Sequence, residues 1–252
     1  MKISSNLLEL EFDEKSMSLY CDSEKANPDV RKLNEMSDVL FNKTFINSSN
    51  KSDPLYYMFR GVGFDKNSSV FEAHTIRYDI TVLNHYDLGG EFNKTLGHYH
   101  PIVEGSLSYP ELYEVLYGEV LYVLQRANPD GTYDVKLIHA KKGDRVIMLP
   151  NYGHITVNVG SDILIEANLV NSTFESNYDP IKQKKGGAVY ILSNNNIVMN
   201  RNYNDLTVDY SEANKISFLD YSKPTIYDEY VGHPEHFEFL NKPSLLKNYN
   251  LI

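Results

Sequence analysis

Through the middle of the chain, apolar and polar positions alternate in short runs, with the period of two that a half-buried strand requires. In Arg77–Leu83, the residues Arg77, Asp79 and Thr81 share one face, and Tyr78, Ile80 and Val82 share the other. The runs Glu111–Tyr117, Val120–Leu124, Tyr133–His139, Arg145–Leu149, His154–Asn158, Ile163–Val170 and Ala188–Leu192 continue the series. Turn residues punctuate them at Asp87–Glu91, at Gly118-Glu119 (read as a hairpin connection), at Asn128–Gly131 and at Lys141–Asp144. No helical pattern intervenes between successive strands, so the series predicts a β-sandwich or closed barrel.

The two ends depart from this rhythm. Asn27-Pro28-Asp29 reads as a helix start, and the spacing predicts one short amphipathic helix over Val30–Phe41. A polar linker follows at Asn47–Asp53. Between Asp220 and Leu240 the pattern predicts two short helical stretches, each beginning near a proline and packed on the barrel exterior. The expected organisation is an N-terminal extension over 1–54, a barrel over 55–200 and a C-terminal extension over 201–252.

Composition narrows the partners. With 252 residues, 42% hydrophobic and 12% aromatic, the chain can bury one good core. The 20 tyrosines suit a lining that is apolar yet donates hydrogen bonds. A net charge of −10 with no basic stripe argues against nucleic acid. Cys21 is the only cysteine, which excludes an internal disulfide and a thiol metal cluster. No apolar run reaches membrane-spanning length, and Glu9 and Glu11 break the pattern of a signal peptide. The expected location is the cytoplasm.

The candidate chemistry lies at Gly97-His98-Tyr99-His100, with Glu111 and His154 later in the chain. Histidines at i and i+2 point to the same side of a strand, whereas Tyr99 between them is expected to pack on the outer face. Glu111 and His154 each open a further strand. Three imidazoles and a carboxylate converging inside a barrel suit one divalent transition metal: iron, manganese, zinc, nickel or cobalt. Six residues separate Glu111 from Gly118, and three separate His154 from Asn158. With the HxH pair, these spacings resemble the two halves of the cupin signature. The loop Pro101–Pro110 is long for that pattern and is expected at the barrel mouth, where it can cover a ligand.

The run Thr95–Pro101, then Tyr109–Gly118 with Leu124-Gln125, and then Pro150–His154 with Thr156–Asn158, resembles a narrower group, the cupin-type glucose-6-phosphate isomerases of archaea and some bacteria. That resemblance implies an all-β cupin jelly-roll β-barrel with a few peripheral helices in the extensions. It implies metal ligands at His98, His100, Glu111 and His154. It also implies phosphosugar contacts at Thr81, Thr95, Gly97, Tyr113, Tyr152 and Tyr178. Thr95 is out of phase with His98 unless the chain kinks at Gly97. No Arg or Lys falls on the shared motif, so phosphate rests on hydroxyls and backbone amides or on an unmatched base such as Arg77.

The implied activity is interconversion of glucose 6-phosphate and fructose 6-phosphate, a step of glycolysis and gluconeogenesis. It proceeds by enediol proton transfer with Glu111 as base, or by metal-assisted hydride shift with Glu111 as ligand alone. The rival readings are a cupin dioxygenase and a sugar-binding cupin module. Oxygen uptake separates the dioxygenase from an isomerase, which consumes none. A homodimer is expected, because the N-terminal segment is long enough to add a strand to a partner.

Overall fold

Alternation along the strands decides which side chains enter the interior. The computed structural model describes residues 1–252. Its largest sheet has six strands in the order Arg145–Met148, Glu111–Tyr117, Leu164–Asn171, Ile76–Leu83, Pro54–Phe59 and Pro28–Lys32. Facing it is a four-stranded sheet in the order Gly153–Asn158, Glu119–Ala127, Tyr133–Lys141 and Leu206–Glu212. Hydrogen bonding does not run continuously between the two, so the jelly roll is two facing sheets rather than a closed ring. Gly118 turns the chain from one sheet to the other, so its flanking strands are not a paired hairpin as the sequence suggests. It sits at φ +87°, where a Cβ would lie 2.6 Å from the carbonyl oxygen of Ile163.

Three apolar clusters follow from the alternation. Tyr113, Val115, Val120, Tyr122 and Leu124 point inward from the two sheets and pack between them. Tyr78, Ile80, Val82, Leu112, Ile165 and Leu169 point out of the larger sheet. Leu10, Phe12 and Leu19 cover them from one end of the chain, and Ile226, Tyr230 and Phe237 from the other. Leu121, Val123, Leu137 and Ile155 leave the smaller sheet on its far side and meet Val189 and Ile191.

The extensions differ from the sequence expectation in an instructive way. Residues 28–32 form a strand paired with Pro54–Phe59, and only Leu33–Val39 winds, as a 3-10 helix. A free sheet edge more than twenty residues away outweighs the local helical spacing, because tertiary pairing overrides propensity. Ahead of it, four short strands between Lys2 and Lys25 form a sheet of their own. The tail holds the expected helical pieces, Ile226–Gly232 and Pro234–Leu240, and a third at Pro243–Tyr249.

One buried ionic network fastens the tail to the larger sheet. Arg145, 3% exposed, donates from Nε to Glu114 Oε1 at 3.1 Å and from Nη1 to Glu229 Oε2 at 2.8 Å. Glu114 also accepts from the backbone N–H of Ile226 at 2.8 Å, at the start of the helix. Removing one member leaves buried charges unmatched. Arg145→Ala is expected to cost about 3–5 kcal/mol, measured as a fall in the urea midpoint. A loss below about 1 kcal/mol, the size of an exposed pair, would contradict this account.

Candidate metal centre

The segment that carries His98 and His100 is not a regular strand. It lies against Gly153–Asn158 through isolated bridges, including Lys94 with Val157 and His98 with His154. Gly97 makes that approach possible: it sits at φ +81°, and a Cβ there would come within 2.4 Å of Ile155 Cγ1. The kink also brings Thr95 into phase, and its Oγ1 accepts from the N–H of Thr156 at 3.0 Å. Both histidines end on one side of the chain, with their Nε2 atoms 3.0 Å apart. Tyr99 turns the other way, its ring against Gly153 and its hydroxyl accepting from Gln125 Nε2 at 3.0 Å.

The four side chains meet. One ligating atom from each of His98, His100, Glu111 and His154 lies within 4.8 Å of the others. Glu111 Oε2 stands 3.1 Å from His154 Nε2 and 3.5 Å from His100 Nε2. Yet Glu111 Oε2 and both ring nitrogens of His154 have no well-directed hydrogen-bond partner, although all are buried. Unsatisfied buried donors and acceptors are costly, and a shared cation satisfies acceptors of this kind together.

The protonation states suit the same role. Burial pushes the His98 imidazole well below its usual range, with the neighbouring His154 and His100 adding to the effect. Burial likewise brings His100 down to about 4. Neutral imidazoles keep a lone pair for a metal. The Nδ1 of His100 lies 3.0 Å from the carbonyl oxygen of Tyr109. A carbonyl only accepts, so Nδ1 carries the proton and Nε2 faces the cluster bare. At Glu111, burial pushes the carboxyl up, but contact with His154 and the field of the surrounding imidazoles and Arg60 outweigh it and hold the group below the usual carboxylate range.

The surrounding cleft opens to solvent, and the four clustered side chains lie in its wall. Thr81, Thr95, Gly97, Tyr113 and Tyr178 all line it. Tyr152 is placed elsewhere, buried in the inter-sheet core with the Arg126 guanidinium 4.9 Å above its ring. The Pro101–Pro110 loop folds as a small hairpin tied to the tail through Glu104, which accepts from Ser244 N–H and hydroxyl at 2.9 and 2.8 Å. Tyr109 at its end stacks on Phe174 at 4.7 Å, and Phe174 packs against His100 at 4.6 Å.

Sequence reasoning missed two inward groups on Leu164–Asn171. Asn168 donates from Nδ2 to Glu111 Oε1 at 2.6 Å and so orients the carboxylate. Glu166 accepts from the Thr156 and Tyr122 hydroxyls, both at 2.9 Å, and burial pushes it up to about 8. A signal was present: Glu166 and Asn168 sit two apart in an otherwise apolar run, which puts both on one face.

A jelly roll that converges three histidines and a glutamate between its sheets defines the chain as a cupin. Comparison with known proteins makes this narrower. The profile of the family described as Glucose-6-phosphate isomerase (GPI) matches residues 30–208, and the chain belongs to that family. It is an isomerase. The glucose-6-phosphate isomerase of Thermococcus litoralis is 24% identical over 180 residues, 71% of this chain and 88% of that one. That of Pyrococcus furiosus is 27% identical over 175 residues, covering 69% and 86%. Among solved structures, oxalate decarboxylase of Bacillus subtilis overlaps 46% of this chain and 26% of that one, with 16% identity and a TM-score of 0.33. No helix is long and apolar enough to cross a membrane.

Proposed function

We propose that this chain interconverts glucose 6-phosphate and fructose 6-phosphate in the cleft beside the cluster, and that His98, His100, Glu111 and His154 hold one divalent transition metal. The observation that carries this is the convergence of four ligand atoms, with Glu111 Oε2 and the His154 ring left without partners in the protein. When bound, such an ion supplies Lewis acidity that lowers the cost of negative charge on the substrate oxygens O1 and O2. Every residue of the proposed site lies within 55–200, while the extensions add the edge strands Pro28–Lys32 and Leu206–Glu212 to the two sheets and cover the outer face of the larger one.

The reaction moves one hydrogen from C2 to C1 and one proton from O2 to O1, with no net redox change. Glu111 is the side chain placed to carry the carbon-bound hydrogen as a proton. Its Oε1 is fixed by Asn168, which holds the carboxylate with Oε2 turned toward His154 and His100. The Thr81, Thr95 and Tyr113 hydroxyls and the Gly97 backbone line the cleft where they can orient the sugar. Phe174 and Tyr109 close one side with apolar rings, which limits water near the reacting carbons. Glu166, with its proton retained near neutral pH, adds no second negative charge beside Glu111.

The decisive experiment is a coupled assay of fructose 6-phosphate conversion with and without chelator. Activity lost to chelator and restored by one divalent metal supports the proposal, and chelator-insensitive turnover defeats it. Oxygen uptake should be nil.

We further propose a homodimer. The N-terminal strands are folded into their own chain, with Leu10, Phe12 and Leu19 in its core, so they are not free to extend a partner's sheet. The open edge is instead Leu206–Glu212, where Tyr210 is 60% exposed. Light scattering at micromolar concentration should give twice the chain mass of 28.9 kDa. A single-chain mass would contradict this.

A further inference from the structure

The C-terminal extension gathers a second set of imidazoles and a carboxylate in His233-Pro234-Glu235-His236, outside the residues 30–208 that the family profile matches. One ligating atom from each of His233, Glu235 and His236 lies within 4.8 Å of the others. The local backbone explains the meeting. His233 ends the helix Ile226–Gly232 and opens the 3-10 helix Pro234–Leu240. Its N–H donates to the Glu229 carbonyl at 2.8 Å, and its own carbonyl accepts from the His236 N–H at 3.1 Å. A 3-10 turn has three residues, so side chains at i and i+3 eclipse. The two imidazoles accordingly lie side by side, with centroids 5.2 Å apart and planes inclined by 13°.

Carboxylates set both rings. His233 Nδ1 lies 3.2 Å from Glu235 Oε1, and His236 Nδ1 lies 3.2 Å from Glu229 Oε1. A carboxylate only accepts, so each Nδ1 carries the proton and each Nε2 keeps its lone pair. Glu229 is itself fixed. It is fully buried, and it accepts from Arg145 Nη1 at 2.8 Å through Oε2 and from the Asp220 N–H at 2.9 Å through Oε1. A buried carboxylate behind an outward-facing imidazole is the arrangement that orients metal-bound histidines and raises their basicity. The His233, Glu235 and His236 side chains are 46%, 61% and 38% exposed, so an ion reaches them from solvent.

We propose that His233, Glu235 and His236 form a second divalent-metal site, of zinc type, on the C-terminal extension. Two imidazoles and one carboxylate are a zinc donor set, and water can complete the tetrahedron. None of the three residues lines the cleft. An ion held here joins the end of one tail helix to the start of the next, beside the Arg145–Glu114–Glu229 network that fastens the tail to the larger sheet. The proposal goes beyond the isomerase reading and does not rest on it.

The test is calorimetric titration of the untagged full chain with zinc, with bound zinc counted by mass spectrometry. Wild type should hold two equivalents, the His98→Ala/His154→Ala variant one, and a variant that adds His233→Ala and His236→Gln to that pair none. Singly, His233→Ala and His236→Gln should each weaken the tail equivalent by more than about 100-fold, the upper end of what a lost orienting partner costs. Glutamine at position 236 keeps a donor for Glu229, so circular dichroism of that variant should match wild type. Zinc should raise the unfolding midpoint of the His98→Ala/His154→Ala variant and not that of the combined variant. Zinc binding that is unchanged by the tail substitutions overturns the proposal. So does a His98→Ala/His154→Ala variant that binds no zinc up to about 100 µM free metal, an affinity too weak for a built site. If wild type holds one equivalent that only the tail substitutions remove, the tail site stands and the metal reading of the cleft falls.

Discussion

Alanine at both His98 and His154 is expected to abolish stoichiometric divalent-metal binding in the cleft and to lower isomerisation by on the order of 10³-fold or more. The magnitude follows from a Lewis acid being worth several kcal/mol of transition-state stabilisation, at 1.36 kcal/mol per tenfold. Folding should survive, because neither histidine belongs to any of the three apolar clusters that hold the sheets together. Both rings also border a cleft, so their removal enlarges an open space rather than creating a sealed cavity. Asn168→Ala provides the graded case. It removes the 2.6 Å bond that orients Glu111 and leaves all four ligands in place. Loss of such an orienting partner typically weakens metal binding by about 10–100-fold. Metal content by mass spectrometry and circular dichroism on the same samples read both halves. Full metal occupancy of the cleft in the double histidine variant would defeat the assignment.

What could be read from the sequence was what local spacing encodes. The HxH pair, Glu111 and His154 were legible because a strand's period of two and the spacing to Gly118 and Asn158 survive in one dimension. The strand Glu111–Tyr117 has the bounds that its alternation predicts. Thr95 was legible only conditionally, and the φ of Gly97 supplied the condition. The strand at Pro28–Lys32 was read as helix because its partner is distant in the chain, and pairing of that kind leaves no local trace. Arg60 was invisible for a related reason. It follows its strand in Arg60-Gly61-Val62-Gly63, which has no periodicity, and only the fold sets it beside Asp79. Asn168 and Glu166 are a different case, since two polar residues of one parity in an apolar strand mark a face turned toward something polar.

Glutamine at Glu111 separates a ligand from a base. The substitution keeps shape and one coordinating oxygen but removes the charge and nearly all basicity. If Glu111 only holds metal, the variant binds metal more weakly yet recovers most of its activity when metal is saturating. If it also carries the C2 proton, activity stays depressed by ~10²–10⁴-fold at saturation, the usual size of a lost general base. The hydrogen-bond geometry adds a complication that the measurement must absorb. Asn168 Nδ2 already donates to Oε1, so the new amide can satisfy Asn168 only by turning its own nitrogen toward His154 and His100. Asn168→Ala, alone and combined with Glu111→Gln, isolates that orientation effect from the loss of basicity, as neighbouring residues must be read together. Solvent isotope gives an independent reading, because the enediol route places deuterium from D2O in the product and a direct hydride shift places little. We expect depressed activity at saturating metal together with deuterium in the wild-type product, since Asn168 holds the Glu111 carboxylate in one orientation where it lines the cleft. Product without deuterium, combined with metal rescue of Glu111→Gln, would leave Glu111 as a ligand and the hydride shift as the route.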